Sequence, residues 1–510
     1  MKLLHAITFL LVTGAAAALH AESDATVPLP TPLEAAGYSR ISTSAEMSTF
    51  IHALAGRHPA LARTESIGDS VQGRPIEVIR LTAPRAEDAA PRLRVMVIGT
   101  QHGAAEPAGG EALLALAREL LSGDLRPLLE DLDVILLPNA NPDGRDLKRR
   151  SNANGININT DFVLLSQPET RLLKQAVSYY APDAVLDSHE SAVLKRETLA
   201  KDGYLTDFDA QFEISNNPAV PVALRNYALN TFLPAITRRV SAGGLPAHRY
   251  IGEIVSIKQP ITNGGLTLRN FRNTAGMSGA LSMLVETKLD SRADTFPTYR
   301  NIAVRVERQL LCIRSFLTLA HERRAEIRAR TTAARAVLHS EPLILFAGFE
   351  VNRDNPKALI SMRRLDTRKL EKLEFHDHRQ QVNADEVAYP AMLAVTRHQD
   401  IIRPILERHN VNYSSAPHPA GMEVIAVRIK GHSNIVERAE LLAETRRWVD
   451  IEPGGLFIDL AQPNGRKAVL LLDPRSTSSI FRYPEFASLV VPEEEFFIYH
   501  AFRNIMLSQP

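Results

Sequence analysis

The chain has 510 residues, 45% hydrophobic and 23% charged, with 59 Lys+Arg against 58 Asp+Glu. That composition is ordinary for a globular protein, so disordered, collagenous and multi-span membrane classes are excluded, and near-zero net charge leaves no global field to draw the chain onto nucleic acid or anionic lipid. The single cysteine, Cys312, excludes an internal disulfide, a CxxC pair and a Cys-rich zinc site, so a metal here must rest mainly on imidazole and carboxylate.

Taken in chain order, Lys2, the apolar run Leu3 to Leu19 and the small residues up to Ala21 read as an export signal cleaved after Ala18 or Ala21. Residues 1–21 are thus a signal peptide and 22–40 a Pro-rich linker. The mature chain is expected to be secreted or periplasmic, with no membrane partner once the signal is removed. Apolar residues recur at helical spacing from Ser44 to about Ala62. A turn at Ser70 to Pro75 separates two extended runs. Leu93 to Gly99 is a buried strand, followed by a helix from about Pro107 to Leu121. Asp133 to Pro138 is a second strand, Pro168 to Tyr180 a helix, Ala184 to Asp187 a third strand and Leu281 to Glu286 a fourth. One long helix is expected from Tyr299 to Val337. Beyond it come short strands at Leu343 to Phe346, Val424 to Ile429, Leu456 to Leu460 and Ala468 to Leu472, with a helix near Asp400 to His409.

This alternation predicts an α/β catalytic domain over 41–337, a mixed, largely parallel sheet flanked by helices. A second, smaller domain, mixed α+β or β-rich, follows over 340–510. In such sheets ligands bind beyond the carboxyl ends of the strands, and the polar residues cluster there: His102 after the first strand, Asn141 to Gly144 after the second, His189-Glu190 after the third.

A hydrolytic zinc site needs three His or carboxylate ligands and one open position. His102, Glu106 and His189 are the candidates, with one Zn2+ per chain. Glu286 is the candidate general base and Arg150 the candidate electrophile, since guanidinium stays charged and donates in a fixed fork. Asn141 to Gly144 reads as a structural turn, Lys148 and Arg149 as solvated, and Cys312 as an inert core residue.

The runs Gln101 to Glu106, Asn141 to Gly144 and Arg150 to Gly155, then Asn159, His189 and Val285-Glu286-Thr287, resemble the zinc carboxypeptidases of the carboxypeptidase A type, in that family's order. The resemblance extends from about Tyr38 to Phe316. It implies a zinc peptidase or amidase acting on a peptide or amide substrate, with zinc on His102, Glu106 and His189, Glu286 as the catalytic glutamate and Arg150 stabilising the oxyanion. The chain departs from the family in three places. One extra residue separates His102 from Glu106, Asn157 stands where Asp is frequent, and Asn159-Thr160 stands where an Asn-Arg pair holds a terminal carboxylate. Threonine cannot pair with a carboxylate as guanidinium does, which directs attention to Arg269 and Arg272, with Asn159, as substrate-binding candidates. Two alternatives follow from these departures: a zinc deacylase or amidase acting on N-acyl amino acids or cell-wall peptides, and an inactive binding module of the same fold.

Overall fold

The computed structural model describes residues 28–86, 90–191, 199–252, 254–289, 300–415, 422–430, 438–452 and 454–502. The expected signal peptide lies outside the described residues. In the first part of the chain the strands are β1 (Ala62–Asp69), β2 (Pro75–Leu81), β3 (Leu93–Ile98), β4 (Leu132–Leu137), β5 (Ala184–Ser191), β6 (Tyr204–Thr206), β7 (Ala210–Ile214), β8 (Ala247–Arg249) and β9 (Leu281–Lys288). All but β6 form one eight-stranded sheet of order β1-β2-β4-β3-β5-β9-β7-β8. Its centre is parallel, with β4, β3, β5 and β9 running together, while β2 joins β4 and β7 joins β9 antiparallel.

The sequence of β3 explains its central place. Val95 and Val97 enter one apolar core while Met96 and Ile98 enter another, so neither face is left for solvent. The first core is closed by the helices Ala108–Ser122 and Ile302–Glu322. The second is closed by Pro168–Tyr180, through Leu173 and Val177.

The C-terminal region contributes β10 (Leu343–Glu350), β11 (Lys357–Arg364), β12 (Leu370–His376), β13 (Gln380–Val387), β14 (Met392–Val395), β15 (Met422–Ile429), β16 (Leu441–Val449), β17 (Leu456–Asp459) and β18 (Ile498–Ala501). They form a β10-β13 pair, a β12-β11-β6 sheet and a five-stranded sheet β16-β15-β18-β14-β17. This region is joined to the first through pairing, shared packing and hydrogen bonds such as that from Lys174 Nζ to the His409 carbonyl at 2.9 Å. Strand β6 pairs with β11, and Val163, Ala219, Leu268 and Met277 enter the same core as Leu393, Ile405 and Leu470.

Three expectations change. The long helix is two helices, Ile302–Glu322 and Arg324–Ala336, broken at Arg323 with φ −105° and ψ 18°. Ala468 to Leu472 is not a strand but the end of a helix, Gly465–Leu472, with every residue buried; a short apolar run has no periodicity to separate the two. Part of the expected linker is a capped helical turn, Pro32–Ala35, which buries Leu33 and pairs Glu34 with Arg118. Among the described residues no helix is long and apolar enough to cross a membrane.

Candidate metal centre

His102 stands just past β3, at the start of a single 3-10 turn, Gly103–Ala105, that precedes the helix Ala108–Ser122. Gly103 has φ +51°, and a Cβ there would collide with the Arg149 carbonyl oxygen and the Gly144 backbone. Only glycine fits this left-handed position at so close an approach. The turn takes up the residue by which the His102–Glu106 spacing exceeds the family's usual one, and it brings Glu106 back beside His102. His189 lies on β5 in register with Glu286 on β9.

One donor atom from each of His102, Glu106 and His189 lies within 4.8 Å of the others. All three residues are buried, at 4, 4 and 3% exposure. His102 Nδ1 is buried with no hydrogen-bond partner. Two imidazoles, a carboxylate and an orphaned ring nitrogen fit a cation of the zinc class.

The surroundings orient these groups. His189 Nε2 lies 2.9 Å from Asp187 Oδ2, and Asp187 Oδ1 accepts from Gln101 Nε2 at 2.7 Å. His189 Nδ1 lies 3.1 Å from Glu106 Oε2, which also accepts from the Glu190 amide at 3.1 Å. Arg150 donates to Glu106 Oε1, and its Nη2 lies 3.2 Å from His102 Nε2. Asn159 Nδ2 lies 3.3 Å from His189 Nε2, and its Oδ1 accepts from the Phe271 amide at 3.0 Å.

Burial dominates the electrostatics, with different outcomes. For His102 burial outweighs the Glu106 charge and, helped by Arg150 and His189, pushes the pKa down to about 3. Burial also opposes protonation of His189, but Asp187 and Glu106 together outweigh it and raise its pKa. For Glu106 burial acts upward, and His102, His189 and Arg150 overcome it to hold the carboxyl well below the usual range. Glu286 is half-buried, yet desolvation and then the Glu106 charge push it up to about 8, against His189 and Arg150.

Residues 47–198 match the family model described as zinc carboxypeptidase. Carboxypeptidase 2 of Trichophyton rubrum is 29% identical over 249 residues, covering 48% of this chain and 46% of that one. Carboxypeptidase E of Caenorhabditis elegans is 33% identical over 161 residues, covering 28% of this chain and 34% of that one. Among solved structures, a metallo-carboxypeptidase from Burkholderia cenocepacia is 20% identical, with a TM-score of 0.41 over 56% of this chain and 70% of that one. Residues 47–198 carry a zinc carboxypeptidase family domain. The chain spans about half the length of the first curated relatives it matches.

In the folded chain His102, Glu106, His189, Arg150 and Asn159 come together and Glu286 sits across from His189. The remaining candidates stand apart. Arg272 is buried at 2% exposure and donates to Asn216 Oδ1 at 3.2 Å and to the Gly265 carbonyl at 3.4 Å, although the Glu286 charge still acts on it. Arg269 is half-buried, and its guanidinium makes no hydrogen bond among the described residues. Asn157 does not reach a histidine; its Oδ1 accepts from the Asn159 amide.

The carboxylate beside a histidine comes instead from Asp187. Along β5 alternate residues share a face, so Asp187 accompanies His189 toward the cleft while Glu190 turns to the helix Ile302–Glu322. There Glu190 meets Arg305 in a buried pair, Nε to Oε1 2.7 Å. Gln309, on the same helix, donates to the His189 carbonyl at 2.6 Å. The two-residue spacing of Asp187 and His189 is the sequence signal for the first of these; Arg305 and Gln309 carry none, because only packing brings their helix to β5.

Proposed function

We propose that the protein is an exported zinc metallopeptidase that hydrolyses an amide bond near a peptide terminus. The observation that carries this reading is the buried convergence of His102, Glu106 and His189, with Glu286 in register opposite His189. These three residues would hold one zinc ion per chain. A bound zinc ion supplies Lewis acidity, which activates water and polarises a scissile carbonyl.

Glu286 is the general base. It takes a proton from the attacking water as the carbon–oxygen bond forms, and returns it to the leaving amine nitrogen as the carbon–nitrogen bond breaks. Its burial raises the carboxyl's pKa, which strengthens it as a proton acceptor. Arg150 faces the same centre with its side chain 40% exposed, free to turn from Glu106 and donate to the developing oxyanion. Asn159 and the half-buried Arg269 position the substrate, with Arg272 held behind them by Asn216. Catalysis belongs to residues 41–337, and region 340–510 shapes access.

Purified protein should contain close to one zinc per chain. Glu286→Gln should lower turnover by about 10²–10⁴-fold while leaving the zinc bound, as measured by metal analysis beside a peptide-hydrolysis assay. Full activity in metal-free protein, or in Glu286→Gln, would overturn the reading.

One observation favours the deacylase or amidase alternative. The Thr160 hydroxyl donates to the Asn157 carbonyl at 2.9 Å, so this position offers no cation to a terminal carboxylate. A substrate with an amidated C-terminus separates the two readings, because an exopeptidase stops on it and an amidase does not.

A further inference from the structure

A cleft of about 350 Å³ opens on the seam between the eight-stranded sheet and the C-terminal region. None of His102, Glu106, His189 or Glu286 lines it. Glu213 of β7 and Arg249 of β8 form one wall, with Asn216 just beyond β7 and Arg225 on the helix Val222–Tyr227. Asp377 and Arg379, between β12 and β13, form the other. Seven of its fourteen lining residues are Asn or Gln, so the cleft is built for a polar occupant.

Its charges do not balance. Asp377 is taken up by Arg379 in a fork, Nε to Oδ1 and Nη2 to Oδ2 both 2.7 Å. Glu213 is fully buried, and its two oxygens accept from the Ile214 and Gly264 amides, each at 3.0 Å. Both lining carboxylates are therefore committed. Arg225 donates to the backbone carbonyls of Asn217 and Pro218, at 3.4 and 3.0 Å, and to the neutral Gln381 side-chain oxygen at 3.1 Å, none of them a charged acceptor. Arg249 donates to Asn263 Oδ1 at 2.7 Å, and its Nε is buried with no partner.

Among the described residues neither Arg225 nor Arg249 makes an ion pair. Burial lowers both pKa values. Glu341 pulls back on Arg225, and Glu213 and Asp377 pull back on Arg249, while Arg379 pushes Arg249 further down. A desolvated guanidinium without a directly bonded carboxylate is costly, and an anion that accepts from its free N–H groups relieves that cost.

We propose that this cleft binds a carboxylate-bearing molecule of amino-acid to short-peptide size, held by Arg225 and Arg249 with the amide side chains taking its remaining polar groups. Guanidinium matches carboxylate in a two-bond fork, and Asn and Gln side chains donate and accept as a peptide backbone requires. The proposal stands on the cleft alone and does not depend on the hydrolytic reading.

The test is isothermal titration of the purified full chain with L-glutamate, acetyl-L-glutamate and inorganic phosphate. Saturable binding of a carboxylate probe is expected, weakened at least tenfold by Arg249→Gln and by Arg225→Gln, and unchanged by the surface control Arg40→Gln. Arg249→Lys, which keeps the charge, should retain part of the binding. Circular dichroism spectra and melting temperatures establish that each variant is folded. Absence of carboxylate binding, binding of phosphate alone, or binding lost in Glu286→Gln but kept in Arg249→Gln would each overturn the proposal. The peptide-hydrolysis assay on Arg249→Gln is a separate readout, so failure of the hydrolytic reading leaves this result interpretable.

Discussion

Removing the Arg305 guanidinium should destabilise the protein by several kcal/mol, and the loss should depend on pH in a direction the structure dictates. Arg305 and Glu190 are 0 and 3% exposed and joined by two bonds, Nε to Oε1 at 2.7 Å and Nη2 to Oε2 at 3.0 Å. The Ala108 amide also donates to Glu190, at 3.0 Å. Arg305→Met keeps most of the side-chain volume and leaves a buried carboxylate without its cation, a change that costs about 3–5 kcal/mol.

Burial already raises the Glu190 pKa above the usual 4.5, with Arg305 opposing it, so the variant raises it further. In the unfolded chain this carboxyl releases its proton near 4.5, whereas the folded variant holds it to a higher pH. Between those values the folded state binds more protons, so stability falls as pH rises. Urea unfolding followed by circular dichroism should show the variant's deficit growing from pH 5 to pH 8. Adding Glu190→Gln should recover most of it, leaving about 1–2 kcal/mol for imperfect hydrogen bonding. A deficit below about 1 kcal/mol at pH 8, against the 3–5 expected, would refute the assignment. So would a double variant no more stable than the single one.

Asp187→Asn removes the charge beside His189 and should weaken zinc binding about 10–100-fold in a chelator-competition assay; unchanged affinity would exclude Asp187 as the group that orients this ring. Gly103→Ala forces a Cβ against the Arg149 and Gly144 backbone at φ +51° and should cost at least about 1–2 kcal/mol, with zinc affinity falling alongside as His102 shifts. Burial, and for Lys467 the charge of Lys174, pushes Lys467 down to about 7 and Lys174 down to about 8 from the usual 10.5. The unfolded chain keeps both protons longer, so stability should rise between pH 7 and 10.5. Lys467→Met should flatten that rise and stabilise the protein near pH 6 by on the order of a few kcal/mol, as measured by urea unfolding.

The parts of this fold legible in the sequence are those where one property decided the element. Leu93 to Ile98 is apolar at every second and every intervening position except Arg94, which only a strand covered on both faces tolerates. Pro168 to Tyr180 opens with proline and keeps helical spacing, and its observed bounds are those expected. Where two properties competed, the sequence left the choice open. Ala468 to Leu472 lacks a polar residue to set a period, and tertiary burial made it a helix. The break at Arg323 has no proline or glycine to mark it. At the site, residue types and chain order pointed to His102, Glu106 and His189, but nothing local separates Arg269 from Arg272. Only the folded positions show one half-buried without a side-chain hydrogen bond and the other tied to Asn216.

What composition could least supply is the difference between three glutamates that look alike on paper. Glu106, Glu190 and Glu286 each face a desolvation penalty, which by itself raises the pKa of all three. Glu106 is surrounded by two imidazoles and a guanidinium, so it stays an anion and can serve as a ligand. Glu190 is offset by Arg305 and has no route to a substrate. Glu286 has the Glu106 charge added to its burial and no cation bonded to it, so its carboxyl is pushed up and it faces the cleft as a proton acceptor. Under the proposed reading the division of labour between ligand, brace and base is therefore set by which charges the fold places beside each carboxylate. Exchanging a neighbour, as in Arg305→Met, should move a residue from one role toward another before it disturbs the backbone.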